Sequence, residues 1–206
     1  MVVSIFHVIF AFGKIKRKIM AKLTYLIGDA TQPIIREDEY SVIVHCCNTL
    51  GVWGAGFVIP LAKRYPNARS SYFNYIHKGN VKLGDVDEVK VTDNIYVANL
   101  MGQKFLGKGP NGEIPCDYNA IEKGFLNIIG SWFNRNEYYS IHMPRIGCGL
   151  AGGDWKVIED IIKRTFIDMA NVDVFVYDLK DDGITEYNNY EEEHNTFNSI
   201  GRGNWI

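Results

Sequence analysis

The chain has 206 residues, 47% hydrophobic and 22% charged, with a formal net charge of -2 at pH 7. That size and balance suit one ordinary globular core and exclude a general electrostatic pull toward nucleic acid or an anionic membrane. The four cysteines, Cys46, Cys47, Cys116 and Cys148, form no CxxC pair and no zinc-type Cys/His spacing, so neither a metal site nor a disulfide framework is indicated, no cofactor is expected, and reduced thiols suit a cytoplasmic protein.

Residues 1–21 read as an N-terminal extension. The segment "MVVSIFHVIFAFGKIKRKIM" has an apolar stretch too short to span a bilayer, followed by its basic cluster, the reverse of a secretory signal. The globular pattern covers 22–179. Leu23 to Ile27 is a short strand ending in Gly28-Asp29, and Tyr40 to His45 is a second, nearly all apolar as strands buried on both faces are. A helix through Val58, Leu61, Ala62 and Tyr65 tolerates Pro60 in its first turn, and Pro66 follows its end. Then "DEVKV" and "NIYVANLMG" read as paired strands, "YNAIEKGFLNIIGSWF" as a helix, "YYSIHMP" as a strand, "DWKVIEDIIKRTFIDMA" as a helix and "VDVFVYDL" as a last strand. Residues 180–206 are polar and acidic with little periodicity, which reads as a flexible tail.

Alternating strands and helices predict an α/β sandwich around a largely parallel sheet, with ligands bound beyond the carboxyl ends of the strands. Three unusual loops fall at such ends: Gly28-Asp29-Ala30, "HCCNTLGVWGAGF" from His45 to Phe57, and "PRIGCGLAGGDW" from Pro144 to Trp155. The last two are glycine-rich and lead into helices. Exposed backbone N–H groups in such loops cradle phosphates without Lys or Arg, although a glycine-rich turn also occurs as plain punctuation.

Each polar residue here has two readings. Asp29 can accept from an exocyclic amine such as that of adenine, or close an Asx-turn. Asn48 can hold sugar hydroxyls or build a turn. His45 can act as general acid or base, or be a satisfied strand-end histidine. Asp154 precedes the amphipathic residues Val157, Ile158, Ile161 and Ile162, so helix N-cap is its leading role and catalysis its second. Cys148, between glycines, reads as small-residue filling, with no local base to make it a nucleophile.

Taken together, "GDATQP", "HCCNTLGVWGAGFVIPLAKRYP", "VANLMGQ", "HMPRIGCGLAGGDW" and "VFVYDL" resemble the macrodomain family in order and spacing, over roughly Lys22 to Leu179. The resemblance is nearest to the branch of yeast-type ADP-ribose-1″-phosphate phosphatases and terminal ADP-ribose protein glycohydrolases. It implies a three-layer α/β/α sandwich with a mixed, largely parallel sheet and a cleft for ADP-ribose. In that cleft Gly28, Asp29 and Ala30 would meet adenine, with Tyr177 beside it. Asn48 would hold the distal ribose. Trp53, Gly54, Ala55, Gly56 and Phe57 would line the distal ribose and phosphate side, and Arg145, Ile146, Gly147, Cys148, Gly149 and Leu150 would wrap the diphosphate.

The glycohydrolase's catalytic Lys and Asp align here with Met101 or Gln103 and with Ala151, Lys104 and Asp154 lying nearby. The His-x-x-Asn of the yeast-type phosphatases corresponds to His45 and Asn48. The implied activity is removal of the 1″-phosphate, or of a related C1″-linked group, by a metal-independent hydrolase, with His45, Asn48 and Asp154 as candidate catalytic groups. The alternatives are a non-catalytic ADP-ribose reader and a hydrolase that removes ADP-ribose from protein or nucleic acid. A monomer without membrane attachment is expected.

Overall fold

The computed structural model describes residues 20–179. The expected acidic tail, and the extension up to residue 19, lie outside the described residues. In chain order the elements are β1 (Leu23–Ile27), β2 (Tyr40–Asn48), α1 (Val58–Arg64), α2 (Pro66–His77), β3 (Val86–Lys90), β4 (Ile95–Gln103), α3 (Tyr118–Arg135), β5 (Tyr139–Met143), α4 (Trp155–Ile162) and β6 (Val174–Asp178). The strands form one sheet in the order β1-β6-β5-β2-β4-β3. Every neighbouring pair is parallel except β3 with β4, which is antiparallel. This is the mixed, largely parallel sheet of a three-layer α/β/α sandwich. Among the described residues, no helix is long and apolar enough to cross a membrane.

Strand alternation builds the layers. On β2, Val42 and Val44 point to one face and join Ile121, Phe125, Ile128 and Trp132 of α3 and Ile158, Ile161 and Ile162 of α4 in one core. Ile43 and Cys47 point to the other, where Leu61 of α1 and Ala68 and Tyr72 of α2 cover them. The α3 residues recur at helical spacing, Asp117 caps the helix by accepting from the Ala120 amide at 3.0 Å, and Asn136 ends it in the left-handed conformation. Gly124 lets α3 press on the sheet, since a Cβ there would lie 2.5 Å from the Leu100 side chain.

Two elements depart from the expectations. Pro66 does follow the end of α1, but it also opens α2 as its first residue, where the missing N–H costs nothing. The long helix expected after Asp154 is α-helical only to Ile162 and continues as a π-helical stretch, Lys163–Met169, with Thr165 Oγ1 donating to Ile161 O at 2.6 Å.

β5 and β2 pair only from Tyr40–Tyr139 to Ile43–His142, so the sheet forks at its carboxyl edge. From that fork β2 leads to α1 on one face and β5 leads to α4 on the other. Neighbouring strands whose connections leave to opposite faces create a crevice, the usual ligand position in open α/β sheets.

Candidate functional site

All three loops singled out in the sequence border this edge. In the first, Asp29 closes an Asx-turn: Oδ1 accepts from the Thr31 amide at 2.8 Å, and Oδ2 from Thr31 Oγ1 at 2.8 Å and Gln32 Nε2 at 3.2 Å. Gly28 donates its amide to Asp178 O at 2.8 Å, and its bare Cα side faces the Tyr177 ring. Ala30, Phe175 and Tyr177 form a small apolar cluster, with Leu26 and Phe57 packed on it. The Tyr177 hydroxyl accepts from the Ile34 amide at 3.1 Å and lies 2.9 Å from His142 Nδ1. Burial lowers the His142 pKa to about 3, so the ring is neutral and Nδ1 can accept the tyrosine proton.

The second loop is organised by Asn48. Its Nδ2 donates to Val52 O at 2.7 Å, and its Oδ1 accepts from the Leu50 and Val52 amides and from the Tyr72 hydroxyl at 2.9, 3.1 and 3.0 Å. Trp53 is buried, with Nε1 donating to Val58 O at 3.0 Å. His45 is 1% exposed, between the Trp53 and Phe57 rings, with Nε2 2.6 Å from Asn99 Oδ1. Asn99 spends its Nδ2 on Ala68 O and Asp87 Oδ2, which fixes its oxygen toward His45 and puts the imidazole proton on Nε2. Desolvation lowers the His45 pKa to about 4.

The sequence expectation is direct contact of His45 and Asn48 with a ligand; both side chains are buried. Strand alternation turns His45 into the layer beneath α1 and α2, and the Oδ1 of Asn48 is taken by the loop backbone and Tyr72 while its Nδ2 keeps one N–H unspent.

In the third loop Gly147 and Gly152 take positive φ, 73° and 67°. A Cβ on Gly147 would also sit 2.9 Å from Cys116 Sγ. Ile146 is buried in the core, while Leu150 is 60% exposed. Cys148 donates its thiol to Ile146 O, and burial pushes its pKa up to about 12, so it stays protonated and un-nucleophilic. Asp154 is exposed and caps α4 through Lys156 N at 2.8 Å. Arg145 is bound to Asp178 through Nε and Nη2.

The second and third loops touch: a Cβ on Gly56 would lie 3.7 Å from Leu150 Cδ1. Among the described residues, the amides of Gly54, Ala55 and Gly56 on one side, and of Gly149 and Leu150 on the other, donate to no protein acceptor. Unspent N–H groups on facing loops are the chemistry of an anion cradle. Sequence reasoning missed the buried partners Asn99 and His142 and the half-buried Asp87. The His45–Asn99 pairing emerges only from the β2–β4 register, which sets those two residues side by side.

Fold and site define an α/β/α sandwich with a crevice at a forked sheet edge, bordered by loops with unspent amides. No family model matches the chain. It is 32% identical to a macrodomain protein from Streptomyces coelicolor, whose structure it matches with a TM-score of 0.64 over 76% of this chain and 99% of that one. The chain therefore belongs to the macrodomain family. It is also 27% identical over 161 residues to the ADP-ribose 1″-phosphate phosphatase of Lodderomyces elongisporus, covering 75% of this chain and 98% of that protein. Similarity extends to the DNA ADP-ribosyl glycohydrolase of Mycobacterium bovis, 25% identical over 158 residues, which cover 75% of this chain and 42% of that protein.

Proposed function

We propose that this macrodomain is an ADP-ribose-binding hydrolase that removes the 1″-phosphate from ADP-ribose-1″-phosphate or a related group at C1″. The observation that carries the reading is the pair of touching loops with unspent amides, Gly54–Gly56 and Gly149–Leu150. A diphosphate laid along them receives several N–H donors at once, without a cation in the cleft. The apolar cluster of Ala30, Phe57, Phe175 and Tyr177 at one end suits a purine, and Asp29 Oδ1, which accepts one hydrogen bond, has a lone pair left for an exocyclic amine. Similarity to a named ADP-ribose 1″-phosphate phosphatase along nearly its whole length supports the same substrate.

The reaction adds water across the phosphorus–oxygen bond: the water oxygen joins phosphorus, and the C1″ oxygen leaves and takes up a proton. Of the three candidate catalytic groups, Asp154 alone is exposed. We assign it the general-base role and give His45 and Asn48 the task of holding the second loop rigid. The four free cysteines fit a reducing, cytoplasmic setting, and a monomer belongs to the same reading.

A substrate panel on one preparation tests this. Phosphate release from ADP-ribose-1″-phosphate is expected. The mycobacterial similarity favours a second reading, and release of ADP-ribose from ADP-ribosylated DNA without phosphatase activity would put it first. Tight ADP-ribose binding with no turnover of either compound would make the protein a reader.

A further inference from the structure

Arg145 opens the third loop and Trp155 closes it, and the two side chains meet on the outside of the molecule. The Arg145 guanidinium lies over the Trp155 ring at 5.0 Å and the Tyr25 ring at 5.4 Å. Its Nε and Nη2 grip the two carboxylate oxygens of Asp178, at the end of β6, at 2.6 and 2.7 Å. Trp155 Nε1 donates to the Tyr25 hydroxyl at 3.1 Å, and that hydroxyl donates to Glu159 Oε1 at 2.6 Å. One interlocked cluster thus ties both ends of the loop to β1, β6 and α4.

We propose that Arg145, Trp155, Tyr25 and Asp178 form a clamp that fixes the loop ends and so aims the loop's free amides before an anionic ligand arrives. Arg145 is then a positioning residue and not a phosphate ligand. The inference rests on reading this loop as the diphosphate site. Ile146 and Ala151 are buried and backbone bonds close the turn between them, so releasing the clamped ends chiefly frees the exposed Gly149–Leu150 tip. Ordering it during binding weakens affinity, and ordering it beforehand removes that cost. The fork of the guanidinium is already filled by a planar carboxylate, so turning it to a phosphate would break one bidentate pair to make another. Exposed pairs of this kind add little to global stability, so the clamp can be removed while the fold remains.

The test combines Arg145→Ala, Asp178→Ala and the double variant with two measurements, amide hydrogen exchange without ligand and calorimetric titration with ADP-ribose. Each single variant is expected to speed exchange at Cys148, Gly152 and Gly153, whose amides are hydrogen-bonded within the loop, while β2 and β4 keep wild-type protection. Each is expected to weaken ADP-ribose about tenfold, the scale of one residue's backbone ordering. The double variant should be no weaker than either single one, because both remove the same device. Unchanged loop exchange overturns the clamp. So does a pattern in which Arg145→Ala weakens binding while Asp178→Ala leaves it unchanged or tightens it, since a freed guanidinium would then be gripping phosphate. Failure of the wild-type protein to bind ADP-ribose would sink the functional reading instead, and the ligand-free exchange would still decide the clamp.

Discussion

At Gly149, a Cβ would meet nothing within 4 Å and the backbone is not in the left-handed region, so a side chain is compatible with the fold. Gly149→Glu nevertheless puts a carboxylate where the loop offers bare N–H groups. ADP-ribose affinity is expected to fall at least ~100-fold, or about 3 kcal/mol, with an unchanged circular dichroism spectrum; normal binding by the folded variant would remove the cradle. Asp154→Asn separates the two roles of that side chain, because Asn caps a helix about as well as Asp but cannot take a proton. Turnover of ADP-ribose-1″-phosphate should drop by roughly 100-fold or more at an unchanged melting temperature, and full activity would leave Asp154 as a cap alone. The positions of the glycine-rich loops at the strand ends were legible in the sequence because glycines cluster directly after the apolar strand runs. The inward turn of His45 was not, because it depends on which face of β2 is covered and on Asn99, 54 positions away.

Among the elements, α3 was legible because its apolar residues recur at helical spacing over several turns. α2 escaped because Pro66 reads as a stop and only Ala68 and Tyr72 of its twelve residues are buried, too few to print a periodic stripe. Yet α2 is the element that braces the second loop: the Tyr72 hydroxyl reaches both the backbone oxygen and Oδ1 of Asn48, at 2.8 and 3.0 Å. Tyr72→Phe keeps the ring packing and removes both contacts. A loss of about 1–2 kcal/mol is expected in urea denaturation, together with weaker ADP-ribose binding as the Asn48–Val52 turn loosens. An unchanged denaturation midpoint would mean that the turn holds itself.

For the whole molecule, two buried neutral histidines work against the fold in acid. His45 and His142 have pKa values lowered by burial to about 4 and about 3, against an ordinary 6.5 in the unfolded chain. Below pH 6.5 the unfolded chain takes up protons that the folded one refuses, so stability is full above that pH and drains away as pH falls through 4. His45 alone accounts for about 3 kcal/mol, a large share of an ordinary domain's ~5–15 kcal/mol. Denaturation midpoints at pH 7 and pH 4.5 should differ clearly, and equal midpoints would contradict neutral burial. The fork between β2 and β5 bears on stability in another way. It divides the sheet into a β1-β6-β5 leaf and a β2-β4-β3 leaf, stitched only from Tyr40 to Ile43. A ligand held by Gly54–Gly56 on one leaf and Gly149–Leu150 on the other acts as a staple across the open end of that seam, so bound protein should resist heat and proteolysis along the seam first, where the empty protein is least sewn together.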